Sequence, residues 1–211
     1  IGYSTNTIRN VKIDKSCKIF INTSTLYTYL YIGLLVGLCD YTIYYCDVKG
    51  YIDVITKSPG IEIGGLSGHS YNIIESCNVE AIITVEAINT CRIGGFSQYH
   101  TSRINYCNVH SQINVLNTVA LSHFIGGMLG FNDNSSITKS FCDTRINIID
   151  KYSTQFTSID PIMVGTTTSS SQIYSPGNLI SINNEIQDIN YNNTKKYTDI
   201  TIDQIKNGYL C

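Results

Sequence analysis

Four stretches of this chain lie over one another: YIGLLVGLCDYTIYYCDVKGYIDV, EIGGLSGHSYNIIESCNVEAIITV, RIGGFSQYHTSRINYCNVHSQINV and FIGGMLGFNDNSSITKSFCDTRINI. Ile32, Ile63, Ile93 and Ile125 align, and each is followed by a glycine: Gly33, Gly64, Gly94 and Gly126. Equivalent positions recur every 30 to 35 residues or so, with the variation confined to the polar segments 56–60 and 117–122. A period in this range is the mark of a solenoid, because one such unit cannot bury its apolar face alone and a stack of them can.

The second half of each unit alternates with period two, which predicts strands with one buried face. The inward columns read Val11, Cys46, Cys77, Cys107, Ser140; then Ile13, Val48, Val79, Val109, Cys142; then Lys15, Gly50, Ala81, Ser111, Thr144; then Cys17, Ile52, Ile83, Ile113, Ile146; then Ile19, Val54, Val85, Val115, Ile148. The opening residues join these columns without a gap from Ile1 to Ile19, so the supplied chain is expected to start inside a repeat of a longer or processed protein. The small third column points to a bend or a crowded corner. Between the inward columns, Asp14, Lys49, Glu80, His110 and Asp143 share an outward position, with Lys12 over Asp47 and Lys18 over Asp53. Charges that alternate between strands about 4.8 Å apart help to fix register.

The fold expected is all-β: a right-handed parallel β-helix of about five to six coils over residues 1–182, the right hand following from the dominance of right-handed crossovers between parallel strands. Its units lie near 1–19, 32–54, 63–85, 93–115 and 125–148, with a degenerate coil over 159–182. Residues 183–211 change to an Asn-rich polar linker, then to a segment in which Thr201 and Gln204 have capping-box spacing and Gly208 supplies a stop. That segment predicts a short C-terminal helix, either a cap on the stack or the start of a following module.

The IGGLSG, IGGFSQ and IGGMLG segments, each followed by an isoleucine, then Cys or Ser and a strand, resemble GLUG repeats. These occur in bacterial and protist surface proteins, in adhesin-like proteins and in non-catalytic parts of certain immunoglobulin A proteases. Four to five units covering about Ile1 to Ile149 carry the resemblance. Leu34 replaces the second glycine in one unit and Gln98 the third in another. The resemblance implies a surface or extracellular β-solenoid scaffold with no single activity attached.

No Gly-Lys-Ser/Thr follows the glycines and no GxGxxG joins a strand to a helix, so they are read as turn and stacking residues, and no cofactor is expected. CxxC and HExxH are absent, and one stacked column of Cys46, Cys77 and Cys107 offers poor tetrahedral geometry for a metal. Those cysteines are read as small buried hydrophobes, with disulfides between coils left open, while Cys39, Cys91 and Cys211 are expected to be available for exposed or intermolecular chemistry. His69, His100, His110 and His123 assemble into no catalytic set and are expected at the surface, so the chain is read as non-enzymatic.

A net charge of −2 and a pI near 6.1 give no basic field for nucleic acid, and no apolar run reaches the roughly 20 residues of a membrane helix. The expected partners are a second copy, end to end or laterally, or other surface proteins or glycans. A rigid spacer, adhesive stalk or filament subunit on a cell or particle surface fits these expectations. A carbohydrate-binding or carbohydrate-cleaving domain, or the scaffold of a larger secreted enzyme, is the alternative. The candidate binding surface comprises Tyr27, Tyr29 and Tyr31, which alternate along one segment, and the column Leu38, His69, Tyr99, Phe131, unless these rings form an intramolecular stack. Asn22, Asn134 and Asn192 lie in N-x-S/T sequons expected in loops.

Overall fold

The computed structural model describes residues 2–27, 29–58, 60–87, 91–116, 124–133 and 135–149, and beyond these the strand segments 158–160, 163–166, 173–175, 179–182, 185–186 and 198–199. The described residues form a parallel β-solenoid with four strands to a coil and no helix. The segment 201–208 expected to be helical lies outside them.

Each complete coil runs through four faces. The first face stacks Leu30–Gly33, Ile61–Gly64, Cys91–Gly94, Phe124–Gly126 and Ser158–Asp160. The second stacks Tyr3–Ser4, Val36–Cys39, Ser67–Ser70, Ser97–His100, Leu129–Asp133 and Met163–Thr166. The third is short and contains Ile8–Arg9, Ile43–Tyr44, Ile74–Glu75, Arg103–Asn105 and Ser136–Thr138. The fourth is long: Lys12–Ile13 and Lys18–Thr23, then Asp47–Thr56, Asn78–Ala87, Asn108–Leu116 and Ser140–Ile149, then Ile173–Ser175 and Leu179–Ile182. The expected five to six coils are thus four complete ones with a partial coil at each end, and the degenerate segment pairs in register, Ile125 to Ile159 and Ile148 to Ile182.

The long strands pair as the alternation predicts. Val79 meets Val48 and Val109, Ile83 meets Ile52 and Ile113, and Val109 meets Cys142. Their side chains are sealed in the core. On the outer side, Lys49 meets Glu80 at 2.8 Å and His110 Nδ1 meets Asp143 at 3.4 Å, so side chains of neighbouring strands in this row pair across the coils.

The first coil departs from the gapless alignment. Lys12 faces Asp47 and Ile13 faces Val48, but pairing resumes two residues late, with Ile19 facing Ile52 and Ile21 facing Val54. Asp14 to Ser16 loop outward, closed by the Cys17 N–H on the Asp14 carbonyl at 3.0 Å and the Ser16 N–H on the Asp14 carboxylate at 2.8 Å. In the gapless register Lys15 would point inward, and an unpaired ammonium there is too costly to bury. The slip leaves Lys15 exposed and puts Cys17 against Gly50. It also moves Lys18 from Asp53 to Tyr51, where the ammonium stands 5.5 Å from the ring centroid.

The small third column has a steric origin. A Cβ on Gly65 would lie 2.7 Å from Val79 Cγ1 and 3.1 Å from the Ala81 methyl, so the second glycine of the motif packs on that column. Ser111 and Thr144 fit by donating their hydroxyls to the Gly95 and Gly127 carbonyls, each at 3.1 Å. Where the glycine becomes Leu34, the facing residue shrinks to Gly50, whose added Cβ would stand 3.0 Å from Leu34 Cδ2. Volume is exchanged across the interior and the total is kept, as close packing requires.

The corner before the long face has its own rule. Asn10, Tyr45, Ser76, Tyr106 and Lys139 all take positive φ, between 48° and 57°. A left-handed non-glycine residue costs on the order of 1–2 kcal/mol. Here the cost is offset by hydrogen bonds between coils, the N–H groups of Tyr45, Ser76 and Tyr106 donating to the carbonyls of Glu75, Asn105 and Thr138. The residue that follows bonds back across the corner: the thiols of Cys46, Cys77 and Cys107 donate to Tyr44, Glu75 and Asn105 carbonyls, and the Ser140 hydroxyl to Thr138 at 2.9 Å. The cysteine column therefore sits where a small side chain with a donor is needed. The Cys107 thiol beside it and burial push Cys77 up to about 12, far from a reactive thiolate.

Candidate functional site

The first two faces of each coil are joined by a two-residue turn and lie close together. A Cβ on Gly64 would meet the Ser67 carbonyl at 2.0 Å, and one on Gly68 the Gly37 carbonyl and Ile32 nitrogen at 2.7 Å. At the Gly64 level no larger side chain fits without displacing that backbone. Ile61 and Ile63 face inward, so Glu62 between them faces out, and the residue two past Ser67, His69, faces out from the second face. The result is a cleft along the solenoid axis with one residue on each wall per coil: Tyr31 and Leu38, Glu62 and His69, Arg92 and Tyr99, Phe124 and Phe131. Backbone register places Tyr31, Glu62, Arg92 and Phe124 in one row and Leu38, His69, Tyr99 and Phe131 in the other.

The middle of the cleft is polar and buried. His69 Nδ1 lies 2.8 Å from Glu62 Oε2, with the side chains 10% and 5% exposed. Arg92, from the next coil, donates to Glu62 Oε1 at 3.2 Å and lays its guanidinium 5.8 Å from the Phe124 ring centroid. Rings enclose the imidazole, with Tyr99 stacked at 4.3 Å, Tyr71 tilted at 4.6 Å and Tyr31 edge-on at 5.4 Å. The ladder continues outward to Phe131, stacked on Tyr99 at 5.7 Å, and to Tyr29, stacked on Tyr31 at 6.1 Å. The Tyr99 hydroxyl donates to Asp133 at 2.9 Å, and burial together with that bond pushes the phenol up to about 12.

The Glu62 carboxylate accepts from Nδ1–H and so fixes the ring's orientation, which leaves Nε2 of His69 as the atom turned away from the carboxylate. This Nε2 is buried and has no partner. The same is true of both amide atoms of Gln98, which precedes Tyr99 at the position filled by Gly37, Gly68 and Gly130 in other coils. Unpaired polar atoms in a protein interior cost about 1–3 kcal/mol each and require an explanation.

The column Leu38, His69, Tyr99, Phe131 is therefore one wall of a cleft. Tyr29 and Tyr31 stand at its end, with Tyr29 60% exposed and Tyr31 turned in against His69, while Tyr27 is exposed and donates its backbone N–H to Ser58. Cys46, Cys77, Cys107 and Ser140 form the buried corner column.

Several residues expected at the surface are buried. Cys39 and Cys91 are in the core, on the inward side of the second and first faces. His69 is enclosed by rings, and His100 lies inside the solenoid with Nδ1 2.8 Å from the Ser70 hydroxyl and Nε2 unpaired. Burial pushes His100 down to about 4. His110 is exposed in the charged row. Asn22 lies exposed in the edge strand Lys18–Thr23 instead of a loop. Asn134, Asn192, His123 and Cys211 lie outside the described residues.

Sequence reasoning passed over Glu62, Arg92, Tyr71 and Asp133. Period-two counting places Glu62 and Arg92 outward, but the opposite wall is reached only through the turn, so no local pattern pairs them with His69 and Tyr99. Gln98 is visible in the sequence as a broken glycine column. Among the described residues no three His, Cys, Asp or Glu side chains converge as metal ligands. No family model, curated protein or solved structure matches the chain.

Proposed function

We propose that this chain is a non-enzymatic structural and adhesive β-solenoid of an extracellular or surface protein, of the kind the GLUG-like repeats suggest, with the ring-lined cleft as its adhesive face for glycans. The observation that carries this reading is the ladder of Tyr29, Tyr31, His69, Tyr99 and Phe131, whose successive ring centroids are 4.3 to 6.1 Å apart. Rings stacked in a row, on walls held by a hydrogen-bonded backbone, present a continuous strip of ring edges for the apolar side of an extended glycan. A glycan array combined with a polysaccharide depolymerisation assay tests it. Binding without release of new reducing ends is the expected result. Release of reducing ends would make the cleft an enzyme site, and silence in both assays would remove adhesion and leave the spacer role.

A further inference from the structure

The corner between the third and fourth faces carries one left-handed residue per coil: Asn10, Tyr45, Ser76, Tyr106 and Lys139. Asparagine takes this conformation readily, whereas a bulky ring there is uncommon, and such strain concentrates at functional positions. Tyr45 holds φ at 52° and is 62% exposed, so core packing does not account for its ring. Tyr106 shares the conformation, but its hydroxyl accepts from Lys139 Nζ at 2.9 Å and the ammonium stands 5.0 Å from the ring centroid. Among the described residues the Tyr45 ring meets only that of Tyr44, at 6.2 Å between centroids.

Tyr44 and Tyr45 line a cavity of about 720 Å³ together with Asn6, Thr7, Arg9 and Asn10, a volume within the roughly 300–1,000 Å³ of small-molecule sites. The inward Ile8 and Val11 take no part in the lining, so the cavity opens on the flank of the solenoid and not on its cross-section. We propose that it is a binding site for a sugar carrying a single carboxylate. Arg9 is exposed and, among the described residues, makes no ion pair, which leaves its planar fork open to a bidentate carboxylate. The Tyr45 ring takes the C–H side of a pyranose, while the Asn6 and Asn10 amides and the Thr7 hydroxyl donate and accept as sugar hydroxyls require. Register sets Arg9, Tyr44 and Glu75 in one row. The Glu75 carboxylate repels an anion at the Tyr44 end, so the charge of the ligand is held at Arg9. One guanidinium with no second cation in the lining suits one carboxylate better than a chain of phosphates.

The test is calorimetric titration of the full chain with sialyllactose and with digalacturonate, each set against its neutral counterpart, lactose and the digalacturonate methyl ester. Two variants remove the proposed contacts: Arg9→Gln, and Tyr45→Asn, which copies Asn10 from the same corner and should keep its melting temperature. Tyr106→Asn is the control, a matched corner whose ring does not line the cavity. Expected results are binding of at least one acidic sugar, at least tenfold weaker binding of its neutral counterpart, at least a tenfold loss in Arg9→Gln and in Tyr45→Asn, and less than a twofold change in Tyr106→Asn. The site is overturned if neither acid binds at millimolar concentration, if a neutral counterpart binds as well as its acid, or if affinity survives in Arg9→Gln or in a folded Tyr45→Asn. A matching loss in Tyr106→Asn overturns it too, by placing the binding elsewhere. None of these outcomes bears on the cleft, which the array and depolymerisation assays test separately.

Discussion

The long-strand interior and the cleft are built on the same coils and in the same register, yet they use the repeat in opposite ways. Inside, each level carries nearly the same residue, Val48, Val79 and Val109 in one column and Ile52, Ile83 and Ile113 in another. In the cleft, the wall pairs change at every level, from Tyr and Leu to Glu and His, to Arg and Tyr, to Phe and Phe. A uniform column maximises burial and makes every level interchangeable. A varied one makes particular levels distinct, and here the buried unpaired polar atoms fall in the two adjacent coils that carry His69 and Gln98.

The harshest way to break this contrast is at the seam that both regions share. Gly64→Val places atoms on the Ser67 carbonyl and the Ser97 backbone, 2.0 and 2.8 Å from the new Cβ. It should cost more than about 4 kcal/mol, the range reserved for unrelieved core clashes, and should abolish the cooperative transition seen by circular dichroism. A near-normal melt would mean that the two faces can separate freely.

Acid titration probes the interior next. The folded pKa of His100 is about 4, below the ordinary value near 6.5, so the folded state favours the neutral ring. Stability from this group is fully present above about pH 6.5 and drains away as pH falls towards 4, by on the order of 3 kcal/mol. Urea unfolding of the native chain and of His100→Asn over that window should give curves that converge as pH falls. Parallel curves would refute the assignment.

Volume exchange between Leu34 and Gly50 sharpens the comparison further. Leu34→Gly opens a void and Gly50→Ala crowds the Cys17 carbonyl as well as Leu34, each destabilising by about 1–5 kcal/mol. The double variant recreates the Gly65 and Ala81 pair of the next coil and should recover about 0.5–3 kcal/mol of the summed loss. Strict additivity in chemical denaturation would show that the two sites do not exchange volume.

Smallest of all is the outer charge row. Lys49→Ala removes an ion pair between half-exposed side chains, with an expected loss below about 1 kcal/mol that fades in salt. A larger, salt-independent loss in thermal melts would mean that this row does more than mark register.

Much of the interior was legible in the residues. From Cys46 onward the alternation assigned every long-strand column, including the move of Cys142 into the valine column. The first coil was misread because identity matching ignores the penalty for turning Lys15 inward, which the loop at Asp14 to Ser16 avoids. The exposure of Cys39, Cys91 and His69 was misjudged for a related reason. Alternation gives the phase of a side chain, whereas its burial depends on how closely the opposite wall approaches.

The sequence by itself determined the repeat, its period, the inward phase of the long strands and the need for glycine beside the turn, because local sterics and apolar periodicity act over a few residues. Only the tertiary structure decided that Glu62 meets His69, that Arg92 reaches back from the next coil and that Leu34 shares its space with Gly50. Those contacts depend on the angle of the turn and the separation of the faces, which packing of the whole stack sets and no single repeat encodes.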